Sequence, residues 1–349
     1  MKRPSKIACQ NVWKLFGAAT EQMSLSALQQ GDLSRLSAEG QVVAVRDVTF
    51  AVETGETFVI MGLSGSGKST LIRCISRLIE PSAGQILIDD QDILKMSAAE
   101  LLELRRHRMS MVFQHFGLLP HRRVMGNVAF GLEVQGFSRA EREVKAQEMI
   151  SLVGLNGWER NYPHELSGGM QQRVGLARAL ALDPDILLCD EPFSALDPLI
   201  RGEMQDELLR LQEMMHKTIL FITHDFEEAL RLGDRIGIMR DGALVQVGTA
   251  EEIVSRPAND YVAAFTRNIP RQKVLTAKTV MVPAKSKREK VGDKGRYALV
   301  TATLEALIPL VATTAEPLAI IDEEGYIVGQ VSPQQLLTAL GEGQGDTGL

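Results

Sequence analysis

Cysteine is scarce. The three thiols, Cys9, Cys74 and Cys189, stand far apart in 349 residues and form no C-x-x-C pair, so they read as the reduced thiols of a cytosolic protein rather than a disulfide framework. Basic excess is missing as well: the formal net charge is −6, which argues against a general nucleic-acid binder and leaves room only for a local basic patch. No segment approaches the roughly 18 to 20 uninterrupted apolar residues that cross a bilayer. The start, Met1-Lys-Arg, runs into polar residues before any apolar stretch of signal-peptide length, so export is not expected. If the protein works at a membrane, another chain must hold it there. Aromatics are few at 5%, whereas apolar residues reach 45%, a balance that suits an α/β protein with a large core of small aliphatic side chains in two or three domains.

One stretch organises the rest. Gly62 to Ser69 reads G-x-x-x-x-G-K-S, preceded by the apolar β-branched run Thr57–Met61 and followed by Thr70–Leu78 with apolar side chains at helical spacing. Strand, loop and helix in that order make a phosphate-binding loop. Gly62, Gly65 and Gly67 allow the backbone, with Leu63, Ser64 and Ser66, to aim successive N–H groups at oxyanions, and the helix from Thr70 adds the positive end of its dipole. In such a loop Lys68 reaches the β- and γ-phosphates and Ser69 ligates Mg²⁺, which makes ATP and Mg²⁺ the expected cofactors. A Gly/Ser-rich turn is the plainer reading, but it does not explain the flanking strand and helix.

Other stretches can be placed around this loop. Lys6–Phe16 and Val42–Phe50 read as strands, separated by an insertion, residues 18 to 40, whose Met23, Ala27, Leu28, Leu33 and Leu36 suggest a short surface helix. Ile186–Asp190 is an apolar strand ending in Asp190 and Glu191. Asp190 can hold Mg²⁺ through water, and Glu191, one residue on, can act on the water that attacks the γ-phosphate. Two adjacent acids after a strand are otherwise a solvated turn.

Leu166-Ser-Gly-Gly-Met-Gln-Gln-Arg173, followed by a helical run from Val174 to Ala181, resembles the LSGGQ signature of ATP-binding-cassette (ABC) ATPases, with Met170 in the usual Gln position and Gln at 171. The resemblance covers Lys6 to about Phe265. It implies an α/β ABC-type P-loop NTPase, a RecA-like core plus a helical subdomain at about 115–178, within a domain 1–268. It further implies a homodimer that sandwiches two ATP molecules, with Ser167, Gly168, Gly169, Met170 and Gln171 serving the partner's nucleotide. Gln114 matches the Q-loop, which senses the γ-phosphate and Mg²⁺ and borders the docking groove for a transmembrane subunit. Ser194–Asp197 matches the D-loop that couples the two sites, and His224 the switch histidine at the γ-phosphate. Singly, Gln114 can be a strand-end polar residue, Asp197 a helix cap before Pro198, and His224 a satisfied loop histidine. The family's adenine-stacking aromatic is assigned to Phe16, in Lys14-Leu-Phe-Gly17, with a core position as the competing reading.

About one hundred residues separate Gly67 from Leu166, without sustained heptads, unlike repair and chromosome-maintenance relatives. The single cassette is unlike two-cassette translation factors. An importer's separate energising subunit fits best, peripheral at the cytoplasmic face of the membrane and docked on permease subunits through Gln114–Met125. It would serve indirectly a periplasmic or surface substrate-binding protein, and no nucleic acid. A non-transport cytosolic ABC ATPase is the alternative.

After a linker, 269–296, whose basic part Lys285–Arg296 is either a solvated connector or a contact with anionic lipid, residues 297–340 read β-α-β-β-α and resemble a single cystathionine-β-synthase (CBS) repeat, a small α+β module. Ser332 caps a last helix opened by Pro333, and residues 341–349 read as a disordered tail. A cassette followed by CBS material, together with Phe226–Arg235, is similar to the ATP-binding subunits of quaternary-amine importers, which take up glycine betaine, proline betaine or choline.

Overall fold

The computed structural model describes residues 4–17, 40–114, 117–267, 269–284, 290, 296–312 and 316–341. The expected helix of the insertion, His115, most of the basic run 285–296 and the tail beyond Gly341 lie outside them. The chain divides into two compact units, Met1–Val245 and Gln246–Leu349.

The first unit carries β1 (Ser5–Phe16), β2 (Val42–Glu53), β3 (Thr57–Met61), β4 (Ala83–Ile88), β5 (Gln91–Asp92), β6 (Met109–Val112), β7 (Ile186–Asp190), β8 (Thr218–Thr223) and β9 (Arg235–Arg240), and β10 (Ala243–Gly248) runs across the division. One sheet has the order β2-β1-β4-β5, with β1 antiparallel to both of its neighbours. The other has the order β10-β9-β3-β8-β7-β6, and β9, β3, β8, β7 and β6 pair in parallel. Every residue of β3, β7 and β8 is buried. Strands covered on both faces have no solvent side, which is why their sequences are unbroken apolar runs rather than alternations. The pairs Met61 with Thr223, Asp190 with Ile222 and Val112 with Cys189 set the carboxyl ends of four strands level, along the edge where open parallel sheets bind ligands.

The helix after the phosphate loop spans Lys68–Ile75 and stops short of the Leu78 suggested by its apolar spacing. Arg77 adopts a left-handed φ of 53°, and its guanidinium donates to the carbonyls of Ile93 and Met96 at 2.9 Å each, turning the chain away. Four helices, Val124–Val128, Phe130–Val134, Arg139–Leu152 and Gly168–Leu180, gather a separate apolar cluster that includes Val128, Leu132, Ile150 and Val174. Ser138 and Glu141 form a reciprocal capping box at the start of the longest of these, a stabilisation of about 1 kcal/mol.

In the second unit β11 (Val282–Pro283), β12 (Tyr297–Leu299), β13 (Leu318–Ile321) and β14 (Ile327–Val331) form a sheet of order β11-β14-β13-β12. Helices Leu304–Val311 and Pro333–Gly341 complete the β-α-β-β-α order read from the sequence. The division at 245/246 lies upstream of the expected boundary at 268. Helices Ala250–Ser255 and Asp260–Thr266 fall in this unit, and Glu251 ties the first of them to the following segment by accepting from Thr276 N–H (2.8 Å), Thr276 Oγ1 (2.6 Å) and Thr279 Oγ1. Nor are residues 269–296 only a linker, since Arg271–Val274 and Ala277–Val280 are helical and β11 pairs with Gly329 and Gln330.

Candidate functional site

The loop between β3 and the Lys68–Ile75 helix rises at the carboxyl edge of the parallel sheet. Leu63, Ser64 and Gly65 form its exposed crown, while Ser66 and Lys68 are buried beneath. Two glycines are obligatory. Gly62 has φ +156°, and a Cβ there would lie 2.3 Å from Met239 O; Gly67 has φ +99°, and its Cβ would lie 2.1 Å from Ala44 O. With Gly67 at the cap and no side chain capping the helix, the first-turn N–H groups of Lys68, Ser69 and Thr70 have no intrahelical acceptor. The Ser66 hydroxyl is buried with no partner. A pocket of unsatisfied donors around one ammonium group is what a phosphate chain completes.

Lys68 Nζ donates to Gly62 O at 2.8 Å and to Leu63 O at 3.1 Å, and stands 3.6 Å from Glu191 Oε1. Burial holds its pKa below the usual lysine value, with the carboxylates of Glu191 and Asp190 pulling the other way. Ser69 Oγ donates to Asp190 Oδ1 at 2.7 Å, bringing together a hydroxyl and a buried carboxylate that are 121 residues apart in the chain. Among the described residues no three His, Cys, Asp or Glu side chains gather as a metal site. The oxygen pair of Ser69 and Asp190 nonetheless fits Mg²⁺, a hard cation that takes few protein oxygens and the rest from water and phosphate.

Glu191 follows β7 with φ 45°, a left-handed conformation that costs a non-glycine residue on the order of 1 kcal/mol. Its N–H donates to Ile222 O at 3.1 Å, and its carbonyl accepts from Ser194 Oγ at 3.0 Å. The turn swings the carboxylate between two partners, Lys68 on one side and His224 on the other, whose Nδ1 lies 2.9 Å from Oε2. A strained backbone at this residue is the signature of a side chain whose direction matters.

The remaining expected residues are arranged around this centre. Gln114 sits two residues past the end of β6, half-buried at the same edge, and no described hydrogen bond joins it to Ser69 or Asp190. Phe16 ends β1 as a 40% exposed residue with Lys14 Nζ 4.9 Å from its ring centroid, which a core position would not leave. Asp197 is exposed and caps the Pro198–Met215 helix, accepting from the N–H groups of Leu199 (3.2 Å) and Ile200 (3.1 Å). Ser167, Gly168, Gly169, Met170 and Gln171 form the start of the Gly168–Leu180 helix, with Ser167 Oγ accepting from Met170 N–H at 3.3 Å. Ser167 and Gly168 are exposed, and no described hydrogen bond links them to the phosphate loop of the same chain. Gly169 is packed against Ile200, whose Cγ2 would meet a Cβ at 2.3 Å. Arg73, which sequence reasoning passed over, stands 3.5 Å from Asp190 Oδ2, a turn and a half beyond Lys68 on the same helix. Its signal was only a cation on that helix, with nothing to mark the distant acid.

A sequence profile of the ABC transporter family matches residues 45–194. The trimethylamine N-oxide transport system ATP-binding protein of Pelagibacter ubique is 49% identical over 331 residues, 95% of this chain and 96% of that one. The glycine betaine/proline betaine transport system ATP-binding protein of Escherichia coli is 49% identical over 345 residues, 97% of this chain and 84% of that one. Among solved structures, a dimeric bacterial ABC transporter cassette superimposes with a TM-score of 0.59 at 32% identity, over 70% of this chain and 98% of that one. A second dimeric cassette structure, in a post-hydrolysis state bound to ADP and phosphate, matches to the same extent.

Proposed function

Because the chain belongs to the ABC family, among the ATP-binding subunits of betaine and trimethylamine N-oxide transport systems, we propose that it hydrolyses ATP to drive uptake of a small methylated amine. The observation that carries this reading is the near end-to-end match with such subunits at 49% identity, which spans the C-terminal module as well as the cassette. A non-transport ATPase has no comparable support.

Phosphoryl transfer to water needs little covalent chemistry from the protein and much positioning. The loop N–H groups, Ser66 and Lys68 cradle the β- and γ-phosphates. Lys68 already carries a carboxylate on one side, so a phosphate oxygen takes a place its geometry is built for. Ser69 and Asp190 would hold Mg²⁺, which when bound neutralises charge on the phosphates. Glu191 accepts the proton of the attacking water, and His224 fixes the direction of that carboxylate. Gln114 lies at the edge where the γ-phosphate and a docked permease would both be felt. Phe16 offers its exposed face to adenine.

Ser167 and Gly168, exposed at the start of their helix and joined to their own loop by no described hydrogen bond, serve with Gly169 the nucleotide of a second copy, so the working form is a head-to-tail homodimer, and Asp197 lies on the segment that meets across it. No described helix is long and apolar enough to cross a membrane. As in a transport system of the kind its relatives serve, the dimer is held at the cytoplasmic face by permease subunits, which receive the amine from a separate binding protein. The C-terminal β-α-β-β-α unit is a single CBS-like repeat.

The test is uptake of radiolabelled glycine betaine, proline betaine, choline and trimethylamine N-oxide in cells carrying wild-type protein or K68A. Loss of uptake of at least one of them in K68A supports the reading. Undiminished uptake of all four refutes it.

A further inference from the structure

The loop that carries His224 is bound to the segment 194–197 through a polar network that the reaction, as described above, does not use. Arg201, in the first turn and a half of the Pro198–Met215 helix, is its hub. Its guanidinium donates to Leu196 O at 3.2 Å and to Asp225 Oδ2 at 3.3 Å, and its Nε lies 3.9 Å from Glu228 Oε1. Leu196 precedes the capping residue Asp197, whereas Asp225 directly follows His224. One planar side chain thus spans the two segments with separate donors, a geometry that a fork of N–H groups provides and a single ammonium does not.

The other side of His224 is held as firmly. Thr223 Oγ1 accepts from Asp225 N–H at 2.9 Å and donates to Glu228 Oε2 at 2.6 Å. Glu228 is 5% exposed, and its second oxygen accepts from Gln205 Nε2 at 3.2 Å. Asp225 Oδ1 accepts from the N–H groups of Glu227 and Glu228, leaving Oδ2 for Arg201. His224 is therefore the one exposed residue in a tripeptide whose two neighbours are fully engaged, and it alone reaches Glu191. Burying an ionised glutamate beside an arginine is costly, so groups kept there in well-formed contacts define a geometry more than they add stability.

We propose that Arg201 is a positioning residue for ATP hydrolysis: it sets the aim of His224 toward Glu191 and makes that aim depend on where the 194–197 segment stands. The inference rests on the ATPase reading given above. Because residues 194–197 lie on the expected dimer face, a shift there on closure moves Leu196 O, is carried by the guanidinium, and reaches His224 without any contact to nucleotide.

The experiment uses the full-length chain with R201M and R201K, each alone and combined with H224A, under steady-state and single-turnover conditions. For R201M the expected result is a kcat lower by about 10- to 100-fold with KM for MgATP within about threefold of wild type, since the phosphate loop is untouched. In the H224A background, adding R201M should change the rate by less than about threefold, because its effect runs through a histidine already removed. An R201M kcat within twofold of wild type overturns the proposal, as does a full repeat of its single-variant loss in the H224A background. Should R201M fail to fold, R201K, which keeps the charge without the fork, is read by the same criteria. A wild-type chain that hydrolyses no ATP would overturn the underlying reading too; an active wild type with an unaffected R201M overturns this proposal alone.

Discussion

Replacing Glu191 by glutamine changes one charge and almost no shape, and the surroundings of that carboxylate predict three effects. Glu191 Oε1 stands 3.6 Å from the buried ammonium of Lys68. At an effective dielectric of about 20 that separation corresponds to about 4–5 kcal/mol of attraction, which the desolvation outweighs, since the Lys68 pKa is lowered all the same. The amide removes one of the two carboxylates that favour the ammonium, leaving buried Lys68 with two carbonyls and Asp190, so the variant without nucleotide should melt below wild type. A triphosphate restores the missing negative charge, so saturating MgATP should raise the melting temperature of E191Q by more than that of wild type, with an affinity equal or up to about tenfold tighter. Turnover should behave oppositely. An amide cannot accept the proton of water, and losing a general base costs about 10²- to 10⁴-fold, or about 2.7–5.4 kcal/mol of barrier. The amide can still bond His224 Nδ1, so the loss reports basicity rather than a collapsed site. Phosphate release and thermal melts with and without nucleotide measure all three. E191Q hydrolysing ATP at even half the wild-type rate would refute the assignment of the base and leave the left-handed turn at Glu191 without a purpose.

Removing the exposed ring in F16A should weaken ATP binding about tenfold with the melting temperature unchanged, measured with a fluorescent nucleotide; unaltered affinity would mean adenine sits elsewhere. G67A places a methyl group 2.1 Å from Ala44 O at a φ of +99°, so urea unfolding should show a loss of about 2–4 kcal/mol and nucleotide binding should vanish; an unmoved midpoint would contradict the packing described. Cys9, Cys74 and Cys189 are buried, burial pushes all three thiols up, Cys74 to about 12, and none should react with an aromatic disulfide reagent at pH 8 until guanidinium is added. A thiol that reacts at once in the folded protein would show that its cover opens.

The phosphate loop, β7 and the β-α-β-β-α order were legible because each is local: a glycine pattern between a strand and a helix, an unbroken apolar run, a cap residue before a proline. Contacts between distant segments were legible only by resemblance. Nothing in residues 68–75 announces that Ser69 meets Asp190, or that Arg73 stands beside it, because both depend on two other strands lying where they do. Arg201 was invisible for a related reason. An arginine three residues into a helix after Asp-Pro reads as a solvated cation, and only the packing of the following helices brings Asp225 and Glu228 to it. The division between the units falls before the expected 268 because helices Ala250–Ser255 and Asp260–Thr266 read in sequence as the close of a cassette, whereas the hydrogen bonds of Glu251 run forward to Thr276 and Thr279. The early stop of the helix at Ile75 was equally hidden, set by carbonyls of Ile93 and Met96 that only the tertiary fold supplies.

The order of strands in the parallel sheet also bears on how this chain is made. β3 lies between β8 and β9, so the most thoroughly apolar strand near the start of the protein has both of its neighbours encoded beyond residue 217. A ribosome that has extruded Met61 must still synthesise to Thr223 before the first flank can be covered and to Arg240 before the second. Throughout the first of those intervals Thr57–Met61 presents two bare hydrogen-bonding edges and two greasy faces to whatever is nearby. Holdase protection of the nascent chain, and precipitation of fragments truncated before β8, follow from where one strand sits in the row.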